Sequence, residues 1–168
     1  IAARHALDVR GLKRVLVVDF DVHHGNGTED ILAGDDRVLM CSFFQHPLYP
    51  GNGVEPMGPN MVNVPVAPYT RGPGIREAIE QHWIPRIEAF EPEMLFISAG
   101  FDAHREDDMG QLGMVEASAS LQVMPLRSSQ PFMRAMSEFC ERMMPVESFR
   151  ISGSLPLARK ISAMSMAP

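Results

Sequence analysis

The sequence predicts an α/β layered fold with a mostly parallel sheet, and three observations carry that prediction. Three apolar runs, Arg14-Val-Leu-Val-Val-Asp-Phe-Asp, Arg37-Val-Leu-Met-Cys-Ser-Phe-Phe and Glu93-Met-Leu-Phe-Ile-Ser-Ala-Gly, are nearly continuous rather than alternating. That is the pattern of strands covered on both faces. Between the second and third runs, Ile75, Ala78, Ile79, Trp83, Ile87 and Phe90 recur at helical spacing. The chain has 168 residues, 45% hydrophobic and 21% charged, enough for one domain with its own core.

Taken in order, residues 1–12 read as the end of a helix with Ile1, Ala2, His5 and Ala6 on one face, closed by Gly11. The run from Arg14 is the first buried strand. Gly34-Asp35-Asp36 is a turn leading into the second. Residues 45–60 are rich in Pro, Gly and Asn and form a loop. Val62-Asn-Val-Pro-Val is short and extended, and Pro65 restricts it to an edge or a strand end. The helix that follows should kink or restart at Pro85, which lacks a backbone donor. Glu93 opens a third buried strand. The resulting order of strands and helices is that of a layered α/β domain.

Composition changes sharply along the chain. Residues 1–113 contain every His, Asp, Tyr and Trp, with a net charge of −8 within an overall −6. The remainder holds 8 of the 13 methionines and 10 of the 12 serines, without a clear apolar period. The chain is therefore expected to divide into a domain over residues 1–117 and an atypical Met/Ser-rich tail over 118–168, poorly ordered or read in a shifted frame. Ile1 in place of an initiator Met is read as the mark of a fragment. The acidic balance argues against direct nucleic-acid binding. No apolar run reaches the roughly 18 residues of a membrane span, and no signal peptide is expected. Cys41 and Cys140 form no CxxC and read as free thiols in a reducing, cytoplasmic setting.

The chemistry is expected at the carboxyl ends of two strands, where ligand sites form in α/β sheets. Asp19, Asp21 and His23 alternate along the first strand end and so project to one side. Such a cluster is costly to bury without a cation. Ser98-Ala-Gly-Phe-Asp-Ala-His brings Asp102 to the same sheet edge. Two carboxylates and one imidazole suit Zn²⁺ or another first-row divalent ion and leave one tetrahedral position vacant. In isolation Asp102 reads first as a turn former, and His24 or His104 as a satisfied loop histidine. Asp19-x-Asp-x-His-His-Gly is harder to explain in that way, because a cap needs one carboxylate. Gly25 and Gly27 permit either a tight turn or close approach of backbone to a ligand.

The string Val18-Asp-Phe-Asp-Val-His-His-Gly-Asn-Gly-Thr-Glu-Asp, with Tyr49-Pro-Gly, Asn63-Val-Pro and Ser98-Ala-Gly-Phe-Asp-Ala-His, resembles the histone deacetylase superfamily. Its nearest branch is the class II-like one, with bacterial histone deacetylase-like amidohydrolases and acetylpolyamine amidohydrolases. The resemblance runs from residue 1 to about 117. It implies a partial arginase/deacetylase-like three-layer fold, truncated at both ends. It also implies Zn²⁺ held by Asp21, His23 and Asp102, and a structural K⁺ near Asp19 and Ser42, with carbonyls near Asp21, His23 and Phe43. Asp19 would also orient a catalytic histidine. Asn26 stands where other branches place an Asp, and Tyr49 and Met109 would wall an acyl-lysine tunnel. Without the resemblance, Tyr49 reads equally well as a loop aromatic and Met109 as unremarkable.

The implied reaction is metal-assisted hydrolysis of acetyl-lysine or acetylated polyamine amides, with a His pair as general base and acid and a Tyr at the oxyanion. The family's His pair precedes residue 1 and its Gly-Gly-Tyr loop follows the matched segment. No complete catalytic set is therefore expected here, and the chain alone should be inactive. The alternatives are a non-catalytic metal-binding remnant or interaction module, and a two-metal ureohydrolase-like hydrolase, against which the missing Asp-Ala-His-x-Asp string counts.

Overall fold

The computed structural model describes residues 1–115, so the expected tail over 118–168 and Cys140 lie outside the described residues. Helix α1 (Ala2–Asp8) leads to strand β1 (Val15–Asp19), helix α2 (Asn26–Leu32), and strands β2 (Val38–Gln45) and β3 (Met61–Val66). A continuous helical stretch follows: α3 (Gly72–Ala78), a π-helical turn (Ile79–Trp83) and α4 (Ile84–Phe90). It ends before β4 (Met94–Ser98). The four strands are all parallel, in the order β3-β2-β1-β4.

The uninterrupted apolar runs follow from coverage on both faces. Along β1, Val15 and Val17 belong to a core with Ala3, Ala6 and Leu7 of α1 and Leu32 of α2. Leu16 and Val18 point into the opposite core, with Ile75, Ile79, Trp83 and Ile87. Period-2 alternation therefore sorts side chains between two apolar layers rather than between core and water. Phe43 of β2 stacks on Trp83 with ring centroids 5.8 Å apart. Cys41 is a buried free thiol between these layers, and burial pushes its pKa up to about 12.

Several local expectations need correction. The buried face of α1 is Ala3, Ala6 and Leu7, while Ile1, Ala2 and His5 are exposed. Only contact with the sheet selects that face. Helix α2 fills residues 26–32, for which no element was expected; it is seven residues long and too poor in apolar positions to show a period. Strand β4 is half-buried rather than buried, since among the described residues it pairs with β1 alone. Pro65 does lie on an edge strand, β3, and is exposed. At Pro85, whose N–H is missing, the stretch changes helix type without a break: a π-helical turn directly precedes it and α4 begins at Ile84.

Asp35 ties the outer helix layer to the sheet. It accepts from Arg37 Nε at 3.0 Å, Arg37 Nη2 at 2.8 Å and the Arg37 N–H at 3.1 Å, and it pairs with Arg4 of α1. The Arg37 hydrogen bonds hold its carboxyl below the ordinary value of 3.8. A depressed folded-state pKa contributes stability above the unfolded value that disappears as pH falls through the folded one. Asp35→Asn is expected to cost about 1 kcal/mol at neutral pH, the exposed arginines being partly screened. Urea melts should show that difference shrinking as pH drops below about 4.

Candidate metal centre

The strand order reverses direction beside β1: β2 and β3 lie on one side of it and β4 on the other. Crevices open at such switch points, beyond the carboxyl ends of the two strands. Here β1 ends at Asp19 and β4 at Ser98, directly opposite one another. The segments that follow carry Asp21 and His23 from one strand and Asp102 from the other.

These three side chains meet. One donor atom from each lies within 4.8 Å of the others, and all three residues are half-buried. His23 Nδ1 stands 3.0 Å from Asp21 Oδ1 and 2.9 Å from Asp102 Oδ2. Around a tetrahedral ion with bonds of about 2.0–2.2 Å, donor atoms sit roughly 3.3–3.6 Å apart. The two separations from His23 Nδ1 are shorter than that by several tenths of an ångström, and the two carboxylates have oxygens within 4.8 Å of each other. The donor set of two carboxylate oxygens and one imidazole nitrogen therefore fits a Zn²⁺-sized dication. No other group of three such side chains occurs among the described residues.

Backbone donors and glycines fix the carboxylates. The Val22 N–H donates to Asp102 Oδ1 at 3.0 Å, tying the two strand ends together. The His23 N–H donates to Asp21 Oδ1 at 2.8 Å. A Cβ on Gly100 would stand 2.2 Å from Asp21 Oδ2, so only glycine lets the β4 end approach that carboxylate. Gly25 does the same for Asp19, where a Cβ would meet Oδ2 at 2.6 Å. Gly27 meets nothing within 4 Å and lies in α2, so the close-approach role belongs to Gly25 alone.

Asp19 is buried at the end of β1, outside the triad, with its Oδ1 accepting the Asp21 N–H at 3.1 Å. Burial raises its pKa above 3.8; hydrogen bonds from the Asp21 backbone and the Ser98 side chain oppose the rise in part. Ser42 faces Asp19 across the β1–β2 ladder, and its buried Oγ has no hydrogen-bond partner. Tyr49 is exposed, with its ring 6.4 Å from that of His23 and edge-on to it. Met109 is exposed, and Asn26 is exposed at the start of α2, apart from the triad. Phe20 and Phe101, which follow the two strands, meet edge to face at 6.3 Å.

One constellation was not foreseen. His24 is buried, and its Nε2 lies 2.7 Å from Oε2 of Glu29, itself buried in α2. A glutamate in a short polar helix gives no sequence signal of burial; the only hint is its place five residues after His24. A cavity of about 620 Å³ is lined by Tyr69, Arg71, Arg105, Gln111, Leu112 and Val115. None of the three donor residues borders it.

Comparison with known proteins identifies the family. The family profile described as "Histone deacetylase domain" matches residues 1–130. The match thus runs past the change in composition near residue 117. The chain is 36% identical over 124 residues to Histone deacetylase 14, chloroplastic, of Arabidopsis thaliana, covering 70% of this chain and 29% of that protein. It is 43% identical over 123 residues to a "Probable deacetylase" of Methanothermobacter thermautotrophicus, covering 67% and 36%. Among solved structures, the HDA15 HD domain superposes with a TM-score of 0.65 at 37% identity, covering 71% of this chain and 38% of that one. An acetylpolyamine aminohydrolase from Burkholderia pseudomallei gives a TM-score of 0.60 at 27% identity, covering 71% and 37%. The chain thus spans well under half the length of these relatives. With a profile match over most of its length and relatives that share its sheet, the chain belongs to the histone deacetylase domain family.

Proposed function

We propose that this chain carries the metal-binding part of a zinc-dependent deacetylase site that hydrolyses acetyl-lysine or acetylated polyamine amides. The observation that carries the proposal is the meeting of Asp21, His23 and Asp102, drawn from two strand ends about eighty residues apart in sequence. In this reading Asp21, His23 and Asp102 hold Zn²⁺. A bound dication would supply polarisation of the amide carbonyl and a lowered pKa for the attacking water. The Val22 N–H and His23 N–H keep the two carboxylates oriented, and Gly100 leaves room for one of them.

Asp19 and Ser42 would serve a K⁺ ion. A buried carboxyl with a raised pKa beside an orphaned buried hydroxyl is the kind of pair that a monovalent cation would satisfy. Tyr49 and Met109 would flank the acyl chain, and both are exposed as that role needs. Asn26 would be the neutral counterpart of an Asp in other branches. The single donor triad among the described residues favours a one-metal hydrolase over a two-metal ureohydrolase-like one.

The general base and acid and the oxyanion tyrosine are not supplied by these residues, so the chain alone should bind metal without turnover. Calorimetry is expected to give one Zn²⁺ per chain, lost in Asp21→Ala; two tight sites would overturn the reading. Gly100→Ala should weaken Zn²⁺ binding by roughly tenfold or more, because its Cβ displaces the Asp21 carboxylate. An acetyl-lysine reporter should show no turnover. Hydrolysis that Asp21→Ala abolishes would refute the inactivity of the isolated chain.

A further inference from the structure

The buried Glu29 carboxylate has no part in the proposed chemistry, yet it touches three segments besides its own helix. Its side chain is 2% exposed, and two oxygens meet three partners. Oε2 faces His24 Nε2 at 2.7 Å, next to the ligand residue His23. Oε1 accepts the Met57 N–H at 2.9 Å and Asn63 Nδ2 at 2.8 Å. Asn63 Nδ2 also donates to the Gly53 carbonyl at 2.9 Å. Glu29 therefore joins the loop after β1, helix α2, the 45–60 loop and strand β3.

The joint is tightly packed as well as hydrogen-bonded. Gly53 has φ of +95°, and a Cβ there would lie 2.5 Å from the His24 ring. Phe44 closes the other side, with its ring centroid 4.6 Å from that of His24. Hydrogen bonds closed off from water are electrostatically stronger than the same bonds in solvent. The same loop carries Tyr49, whose ring stands edge-on to His23.

We infer that Glu29 is a positioning residue: its carboxylate clamps residues 53–57 onto His24, and so sets where Tyr49 stands relative to the candidate metal ligand His23. The clamp rests on these hydrogen bonds and on the packing against His24, whatever reaction the site performs. Its consequence for acyl-lysine recognition rests on the deacetylase reading above. Glu29 acts through the loop and touches neither substrate nor metal.

Amide hydrogen exchange on the full metal-free chain tests the clamp. Glu29→Ala, which removes the acceptor of the Met57 N–H and of Asn63, is expected to speed exchange of the Met57 amide and its loop neighbours by roughly tenfold or more, with β1 and β2 amides unchanged. A uniform rise across the sheet, or no change at Met57, overturns the inference. If Glu29→Ala does not fold, Asn63→Ala, at a half-buried position, removes the bridge from the other side and is judged by the same criterion. For recognition, an acetyl-lysine peptide is titrated onto the Zn²⁺-loaded full chain carrying Glu29→Ala, Tyr49→Ala or both. Less than additive losses support positioning, and additive losses overturn it. A wild-type chain that binds no peptide while loop exchange responds selectively sinks the deacetylase reading and leaves the clamp standing.

Discussion

Two carboxylates, Asp21 and Asp102, are held within hydrogen-bond reach of the same imidazole nitrogen, and most of the described fold bears on keeping them there. Like charges this close repel, and partial burial strips away the water that would screen them. The protein offsets part of that cost with backbone donors, the Val22 N–H to one carboxylate and the His23 N–H to the other. A dication would offset the remainder. An arrangement that resists assembly without a cation, and nearly fits one, is what a metal site requires of its ligands.

The sheet makes the encounter possible. With β1 flanked by β2 and β4, the Asp21–His23 segment and the Asp102 segment leave adjacent parallel strands at the same end. Parallel pairing needs both faces covered, which α1 and α2 do on one side and the long helical stretch through α3 and α4 on the other. The segments that carry the three donors thereby start from strands packed between apolar layers. Gly25 and Gly100 matter for a different reason: each admits a carboxylate that any Cβ would strike. Residues 1–115 thus build a sheet edge whose Asp21, His23 and Asp102 donors are compatible with a metal ion. Their relatives are more than twice as long as the matched stretch, and the deacetylase reading assigns the proton-transfer groups to that additional length.

A second layer stands behind the first. His24 follows a candidate ligand in sequence but turns inward to Glu29, while His23 turns outward to the crevice. The chain bends at Val22 and His23, past the end of β1, so that one imidazole meets the carboxylates and its neighbour anchors the backbone. The loop bearing Tyr49 is joined to that anchor through Met57, Gly53 and Asn63. Ligand geometry and the walls of the crevice therefore share a support.

Much of this was legible in the amino-acid order. The buried parallel strands show as unbroken apolar runs, the edge position of β3 as Pro65, the long helical stretch as Ile75, Ile79, Trp83 and Ile87, and two of the three clustered donors as Asp21-x-His23 just past a strand end. These are local signals: burial on both faces, a missing donor and side-chain alternation each act within a few residues. Tertiary structure alone decided which face of α1 is buried, that β4 is half-exposed, that Gly25 and not Gly27 makes room for a carboxylate, and that Glu29 lies in the interior. It also decided that Asp102 reaches His23 across the sheet. Each of these depends on what approaches from a distant part of the chain, and a residue's own neighbours in sequence carry no record of that approach.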